Sequence, residues 1–120
     1  MSDYREEIID HYKNPRNFGE MEKPDLAITE ANSSCGDMIK IYLKMEGEKI
    51  SEIRWQGVGC AISTAAASML SEKARGMEKK DLESLGEEGI VKMLGGEINP
   101  GRMNCVTLAY RGLLKLLSEK

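Results

Sequence analysis

Several ingredients of common functional sites are scarce in this sequence. Its 120 residues include one histidine, one phenylalanine and one tryptophan. A single histidine excludes His-rich zinc sites and the two-histidine metalloprotease helix. The few aromatic residues leave little material for stacking on nucleic-acid bases. The net charge is −3, whereas nucleic-acid-binding domains usually carry a basic surface. We therefore expect no nucleic-acid partner.

Long apolar segments and paired cysteines are also missing. No apolar run approaches the roughly 20 residues that a membrane-spanning helix needs, and residues 2–7 are charged, unlike a signal peptide. The cysteine count of three is odd, which argues against a disulfide framework. These features predict a cytoplasmic protein with reduced thiols and no membrane partner. With 41% hydrophobic and 31% charged residues, the chain is expected to form a single domain over residues 1–120.

Hydrophobic periodicity predicts a small sheet in the first half of the chain. Residues 3–12 have apolar positions on one helical face, and 26–31 form a weak strand pattern. Residues 38–45 alternate with period two, and 50–57 alternate again after the turn at 46–49, which is typical of a β-hairpin.

The second half of the chain has helical patterns. A helix is predicted over 61–75, short helices over 79–84 and 86–94, and a last helix that begins at Asn99-Pro100. The expected fold is therefore α+β: a three-stranded antiparallel sheet with helices packed on one face and a long C-terminal helix.

Each of the three cysteines lies at or near a junction between these elements. Cys35 precedes the hairpin, Cys60 stands where a strand gives way to a helix, and Cys105 follows a glycine-containing stretch. Helix N–H groups near Cys60 would favour its thiolate. Asp37 lies two residues after Cys35, on the same side of an extended backbone. Three thiolates and a carboxylate could complete a tetrahedral metal site.

Plainer interpretations exist for each of these residues. A free cysteine is often a small buried hydrophobic residue, and an aspartate at a turn often caps it. His11 is expected to be a helix-surface or packing residue. The methionines at 38, 45, 69, 93 and 103 are expected to fill the core.

Four segments of the sequence resemble one known family. They are Asp10-His11-Tyr12-Lys13-Asn14-Pro15-Arg16-Asn17, Ser34-Cys35-Gly36-Asp37, Gly57-Val58-Gly59-Cys60-Ala61-Ile62-Ser63 and Asn104-Cys105-Val106-Thr107-Leu108-Ala109. In order and spacing they are similar to the U-type iron–sulfur cluster scaffold proteins, which comprise the IscU type, the NifU N-terminal domain and the SufU type. The resemblance covers nearly the whole chain.

The resemblance implies a scaffold rather than a turnover enzyme. Such a protein accepts sulfur from a cysteine desulfurase, builds a transient [2Fe–2S] cluster from iron and sulfide, and transfers it to apo-proteins. By position, the ligands would be Cys35, Cys60 and Cys105, with Asp37 as the nearby carboxylate. Cys105 is the preferred sulfur acceptor, because the preceding glycine-rich stretch could move its thiol outward.

Two departures from the family pattern bear on the metal and the partners. Asn104 stands where IscU-type proteins have histidine before the third cysteine. Residues 98–102 replace the Leu-Pro-Pro-Val-Lys chaperone-recognition stretch, so the resemblance does not extend to a dedicated DnaK-type chaperone. The missing histidine is similar to the SufU type, yet the short interval between Cys60 and Cys105 leaves no room for the SufU insertion.

Two other functions are compatible with the same residues. The first is a zinc-bound sulfur-transfer adaptor of SufU type, and the second is a non-metal redox protein that exchanges disulfides. Three cysteines per chain also leave a four-ligand site one short, which is compatible with a homo-oligomer sharing a cluster. Asp37, as a hard oxygen ligand, is expected to exchange faster than sulfur on cluster iron.

Overall fold

The structure is a computed structural model that describes residues 6–32, 36–96, 98 and 100–118. Within these residues, every helix is too short or too polar to cross a membrane.

Helices flank a central sheet in sequence. The described elements are α1 (Glu6–Lys13), β1 (Leu26–Asn32), β2 (Asp37–Glu46), β3 (Lys49–Val58), α2 (Ala61–Ala74), α3 (Lys79–Met93), a 3₁₀ turn (Pro100–Arg102), α4 (Met103–Val106) and α5 (Leu108–Ser118). The order confirms the predicted α+β layout.

The three strands form one antiparallel sheet in the order β1-β2-β3. The β2–β3 hairpin turns at Gly47, whose φ of +63° is readily adopted only by a residue without Cβ. The pairing places Asn32 opposite Asp37 and Met38 opposite Val58. One end of the sheet therefore carries the start of β2 and the end of β3 side by side.

One face of the sheet supplies the core. Ile39, Ile41 and Leu43 of β2 are buried, and they alternate with residues on the opposite face. Helices α2 and α5 pack over this inner face, while α1 and α3 pack against those helices rather than forming a layer on the outer face. The prediction of helices on one face is confirmed.

Small side chains let α2 approach its neighbours closely. Ala65, Ala66, Ala67 and Ala74 of this helix are buried. The large fully buried side chains that fill the space around them include Leu43, Ile50, Leu70, Leu82, Ile90, Leu113 and Leu116. Burial of such side chains contributes about 1.5–3 kcal/mol each relative to exposure.

The two short helices predicted over 79–84 and 86–94 are parts of α3, which is broken at Gly86. Gly86 has φ 65° and ψ 173°, a conformation that is essentially restricted to glycine. The Tyr110 hydroxyl of α5 lies against this break. It donates a hydrogen bond to the Leu82 carbonyl at 2.5 Å and accepts one from the Gly86 N–H at 3.0 Å. The side chain of one helix therefore satisfies backbone groups at the break in another.

The C-terminal helix is present, but it is divided rather than continuous from residue 99. A 3₁₀ turn and the short α4 precede α5, and Thr107 separates α4 from α5. The Thr107 hydroxyl donates to the Met103 carbonyl at 2.7 Å, a side-chain bond of the kind that bends helices. Asn99, the predicted cap, lies outside the described residues.

The expectation that every named methionine fills the core is wrong for Met38. This side chain is 48% exposed on the outer face of β2. The periodicity of β2 assigns Ile39 to the core face and therefore directs Met38 away from it.

The segment after α1 is anchored on α2 and β3 through the backbone of Arg16. The Arg16 N–H donates to Ser68 Oγ at 2.8 Å, and the Arg16 carbonyl accepts from Trp55 Nε1 at 2.9 Å and from Ser71 Oγ at 3.2 Å. Helix α1 cannot continue through Pro15, which lacks a backbone N–H. These hydrogen bonds, rather than a helix or strand, therefore hold the following segment in place.

Candidate metal and sulfur site

Asp37 is the first residue of β2 and is buried at the end of the sheet. Gly36 precedes it with φ +73°, and the Gly36 N–H donates to the Asn32 carbonyl at 2.9 Å. This hydrogen bond joins the end of β1 to the start of β2, where the Asp37 carboxylate enters the site.

Cys60 is the N-cap of α2 and is half-buried. Its backbone is extended, with φ −71° and ψ 168°, so the chain enters the helix directly from the end of β3. At Gly59, an added Cβ would collide with the Ser63 hydroxyl and lie 3.0 Å from Asp37 Oδ1. The missing side chain therefore leaves the space in which the carboxylate and the hydroxyl approach Cys60.

Cys105 belongs to α4 and is only 4% exposed. The short helix packs against α2 and continues directly from the 3₁₀ turn. Cys105 therefore reaches the N-terminal end of α2 from a different part of the chain than Cys60 does.

The structure brings three of the four predicted ligands together. One carboxylate oxygen of Asp37 and the Sγ atoms of Cys60 and Cys105 lie within 4.8 Å of one another. Metal–ligand bonds of about 2.0–2.3 Å in a tetrahedral site hold ligand atoms roughly 3.3–3.8 Å apart. Small side-chain adjustments would thus bring these atoms to the spacing of a zinc or iron site. Cys35, the fourth predicted ligand, lies outside the described residues.

The surroundings of Cys60 favour its thiolate. Burial raises the pKa of the thiol, and the Asp37 carboxylate raises it further. Hydrogen bonds from the Ser63 N–H, the Ser63 hydroxyl and the Ile62 N–H outweigh these effects, so that the pKa of Cys60 is lowered from its ordinary value of 9.0. The free N–H groups of the first helical turn thus stabilise a charge at this position.

Two other residues singled out by the sequence do not supply ligand atoms to this group. His11 is buried between α1 and α2, where its Nδ1 is hydrogen-bonded to Ser68 Oγ at 2.7 Å; this agrees with a packing role. Asn104 is exposed, and its backbone carbonyl accepts a hydrogen bond from Arg111 Nη2 at 2.9 Å.

Exposed apolar side chains border the site on the sheet side. Val58 is 72% exposed and Met38, its partner across the strands, is 48% exposed. Met38 directly follows Asp37, and Val58 lies two residues before Cys60.

Ser63 lies beside the site, although the sequence analysis did not single it out as a site residue. Its hydroxyl lies between the Cys60 carbonyl, which it contacts at 3.0 Å, and the space beside Gly59. Its position three residues after Cys60 could have indicated this, because residues at that spacing lie on the same side of a helical turn.

Fold and site together define a class of protein: a small α+β domain in which thiols and a carboxylate converge at the end of a three-stranded sheet. The chain belongs to the NifU-like N-terminal domain family, whose model matches residues 3–119. This confirms the family resemblance.

Similar proteins include both scaffold and sulfur-transfer members. The iron–sulfur cluster assembly scaffold protein IscU 1 of Archaeoglobus fulgidus is 33% identical over 97% of this chain and 75% of its own length. The zinc-dependent sulfurtransferase SufU of Bacillus subtilis is 32% identical over 98% of this chain and 90% of its own length. The SufU alignment extends over 134 positions, more than this chain has, so SufU contains inserted residues that this chain lacks.

Solved structures share the fold. A SUF-system protein from Fervidobacterium islandicum, described as an iron–sulfur cluster assembly scaffold, superimposes with a TM-score of 0.84 at 26% identity, covering 95% of this chain and 96% of that one. A NifU-like N-terminal protein from Brucella abortus superimposes with a TM-score of 0.80 at 17% identity, covering 97% of this chain and 94% of that one. The latter likeness concerns the fold alone.

Proposed function

We propose that this protein is an iron–sulfur cluster assembly scaffold. It accepts sulfur from a cysteine desulfurase, assembles a [2Fe–2S] cluster and transfers it to apo-proteins. One observation carries this proposal: three elements that are distant in sequence bring the Asp37 carboxylate and the Cys60 and Cys105 thiols within 4.8 Å of one another. The names of the IscU relatives support the assignment.

The donor set suits a cluster that is cargo rather than a permanent component. Thiolates bind cluster iron strongly, whereas a carboxylate oxygen is a harder and poorer partner for it. A site with two close thiols and one carboxylate can therefore hold iron and sulfide and still release them. We propose a carrier rather than a turnover enzyme, because the site contains groups that bind the cargo and exchange it.

Sulfur acceptance follows from thiol exchange chemistry. A thiolate of this chain attacks the outer sulfur of the persulfide on the desulfurase, and the desulfurase cysteine leaves as a thiolate. The acceptor then carries the persulfide. Conversion of each transferred sulfur to sulfide requires two electrons from a reductant, for example a dithiol or a reduced electron carrier.

The identity of the acceptor thiol is the finer part of the proposal. Cys105, the acceptor expected from the sequence, is buried, so its reaction requires α4 to move. Cys60 is more exposed, and its lowered pKa favours the nucleophile. Mass-spectrometric mapping of the persulfide after incubation with a desulfurase and cysteine would decide; persulfide on Cys105 supports the movement of α4, and persulfide restricted to Cys35 or Cys60 contradicts it.

Anaerobic reconstitution tests the scaffold function. The protein would be incubated with ferrous iron, cysteine, a desulfurase and a reductant, and cluster formation followed by visible absorption and by iron and sulfide analysis. A [2Fe–2S] product that passes to an apo-ferredoxin is expected. Cys60→Ser and Cys105→Ser should each sharply reduce cluster content while they leave the fold intact. Unchanged cluster content in either variant would contradict the ligand role of that cysteine.

A zinc-bound sulfur-transfer function is the second candidate. It is favoured by Asn104, whose exposed side chain replaces the family histidine, and by the likeness to the zinc-dependent sulfurtransferase SufU. The same donors fit zinc. Under this alternative, stoichiometric zinc persists in protein purified without oxygen, and cysteine-dependent sulfide release by a desulfurase increases without cluster formation.

The oligomeric state, the chaperone partner and the cellular location of the protein stay predictions. Among the described residues, one chain brings together three possible ligand atoms, which belong to Asp37, Cys60 and Cys105. A four-ligand site would then be one ligand short, so two chains of a homo-oligomer could share a cluster. Delivery by a dedicated DnaK-type chaperone is not part of the proposal, and the cytoplasmic location is carried over from the sequence alone.

A further inference from the structure

Cys60 and Cys105 place two free thiols next to each other. Neither cysteine is part of a disulfide, and their Sγ atoms lie within 4.8 Å of each other. They reach this distance from separate elements, Cys60 as the N-cap of α2 and Cys105 within α4. Two thiols this close can exchange sulfur and electrons with each other without a second thiol molecule.

The two sulfur atoms can come into bonding contact through a local movement. A disulfide holds its sulfur atoms about 2.05 Å apart, so the two Sγ atoms, now at most 4.8 Å apart, would have to approach by less than about 3 Å. Helix α4 has only four residues and lies between the 3₁₀ turn and Thr107. Rotation of the two cysteine side chains, or a small shift of this short helix, would close the gap.

Burial determines which thiol can react with sulfur held at this pair. Cys105 is 4% exposed, so a thiol from solution has little access to it, whereas Cys60 is half-buried. Because one folded domain holds both thiols, their reaction is intramolecular and therefore has an advantage over the same reaction with a solution thiol. A persulfide on either cysteine thus has the other cysteine as its favoured reaction partner.

We propose that Cys60 and Cys105 act together as a dithiol that converts a bound persulfide into sulfide. The inference rests on the proposed function and deepens it, since it names the source of the first pair of electrons. If Cys60 carries the persulfide, the sulfur of Cys105 attacks Cys60 Sγ, which is the inner sulfur. The persulfide S–S bond breaks and a Cys60–Cys105 disulfide bond forms. The outer sulfur leaves as hydrogen sulfide, which keeps its own proton and takes up that of the Cys105 thiol.

The electrons balance within the pair. The two cysteine sulfurs are oxidised to a disulfide, and the outer sulfur of the persulfide gains the two electrons and becomes sulfide. If Cys105 carries the persulfide instead, the two cysteines exchange roles. Each chain can complete this step once, whereas a [2Fe–2S] cluster contains two sulfides. A reaction in which an external dithiol reduces the protein disulfide must therefore follow each release, and it returns both thiols for iron binding.

Metal-free protein tests this step without a desulfurase. The protein would be treated anaerobically with glutathione persulfide, separated from the reagent by rapid desalting and kept without reductant. We expect about one sulfide per persulfidated chain, measured as methylene blue, and a Cys60–Cys105 disulfide in the peptide map of the unreduced protein. A persulfide that persists in the parent, or a disulfide that contains Cys35 instead, would overturn the inference.

Single cysteine variants give a second measurement. Cys60→Ser and Cys105→Ser each remove one thiol of the pair, so the rate of sulfide release should fall at least about tenfold, because the remaining persulfide depends on thiols from solution. Thr64→Ala is the matched control, since it changes a side chain in the first turn of α2 and leaves both thiols in place; it should release sulfide like the parent. Release at the parent rate from both cysteine variants would contradict the dithiol role. Thermal melts identify a variant that does not fold, and the peptide map of the parent still decides in that case.

The same measurements distinguish this inference from the function on which it rests. A parent that assembles a cluster when a desulfurase and an external reductant are supplied, but retains sulfur from glutathione persulfide, contradicts the dithiol role and leaves the scaffold function standing. A parent that releases sulfide and forms the Cys60–Cys105 disulfide, but assembles no cluster, contradicts the scaffold function and supports the dithiol role.

Discussion

Asp37 differs from the neighbouring cysteines in the hardness of its donor atom. Its carboxylate oxygen lies within 4.8 Å of the sulfur atoms of Cys60 and Cys105. Iron in a cluster nevertheless prefers thiolate ligands to carboxylate ligands. We infer that Asp37 controls the lability of the cargo more than its affinity.

Asp37→Ala should still permit cluster assembly but slow the transfer of the cluster to an apo-ferredoxin, because the ligand that opens most readily for the acceptor thiolate is lost. Transfer kinetics normalised to cluster content measure this effect. Asp81→Ala is a suitable control, since the Asp81 carboxylate accepts a hydrogen bond from the Glu78 N–H at the start of α3 and is not one of the three residues that converge at the site. Equal transfer rates with a lowered melting temperature in Asp37→Ala would instead identify a turn-capping role.

At the scale of elements, helices α3 and α5 are joined through one hydroxyl. The Tyr110 hydroxyl satisfies the Leu82 carbonyl and the Gly86 N–H where α3 is broken. Tyr110 itself is buried, so water has little access to these groups in the folded state.

Tyr110→Phe should lower the free energy of unfolding by about 1–3 kcal/mol, because it leaves buried backbone groups without their partner. Urea denaturation of the metal-free protein measures the change. Tyr12→Phe removes a hydroxyl from an exposed side chain of α1 and should change stability by less than about 0.5 kcal/mol. A Tyr110→Phe variant as stable as this control would show that the break does not depend on the hydroxyl.

Helices α1 and α2 meet at a buried histidine. Burial lowers the pKa of His11, and Arg16 lowers it further, while Glu72, Asp10 and Glu7 raise it less. The Glu72 carboxylate lies 3.7 Å from Nε2. Because Ser68 Oγ accepts the Arg16 N–H, its own hydrogen can be donated to His11 Nδ1, and this arrangement requires a neutral ring.

The stability of the protein should therefore decrease as the pH falls below about 6.5, the ordinary pKa of histidine. In this range the unfolded chain takes up a proton that the folded protein resists, so the contribution of neutral His11 is complete above the unfolded pKa. Denaturation curves between about pH 5.5 and 7.5 measure the slope. His11→Gln should reduce this dependence; an identical slope in both proteins would exclude His11 as its source.

At the scale of the whole molecule, the site forms only when the sheet, α2 and α4 are packed together. Asp37, Cys60 and Cys105 are far apart in the unfolded chain, so metal that binds all three stabilises the folded state selectively.

Zinc at about 100 times its dissociation constant should add about 2.7 kcal/mol to the free energy of unfolding, which corresponds to a rise in melting temperature of roughly 10 °C for a domain of this size. Differential scanning calorimetry with and without zinc measures the shift. Cys60→Ser should lose most of it. If zinc leaves the melting temperature of the parent unchanged, then Asp37, Cys60 and Cys105 do not bind this ion in the folded protein.

The sequence by itself determined the three strands and helix α2 to within a few residues, but not the division of the C-terminal helix into a 3₁₀ turn, α4 and α5. Strands β2 and β3 and helix α2 were predictable because one buried face imposes a period on neighbouring positions. The division of α3 was also indicated by Gly86. The junction positions of Cys60 and Cys105 and the resemblance to the family were visible in the linear order of residues.

Only the tertiary structure decided which side chains meet. The approach of Cys105 to Asp37 and Cys60 depends on how α4 packs against α2, and the position of the Ser63 hydroxyl and the Asp37 carboxylate beside residue 59 depends on the space left by Gly59. His11 became a buried partner of Ser68, and Met38 became exposed because none of the described helices covers its side of β2. Local periodicity reports which face is apolar, but long-range packing selects the atoms that face one another, and this selection forms the site.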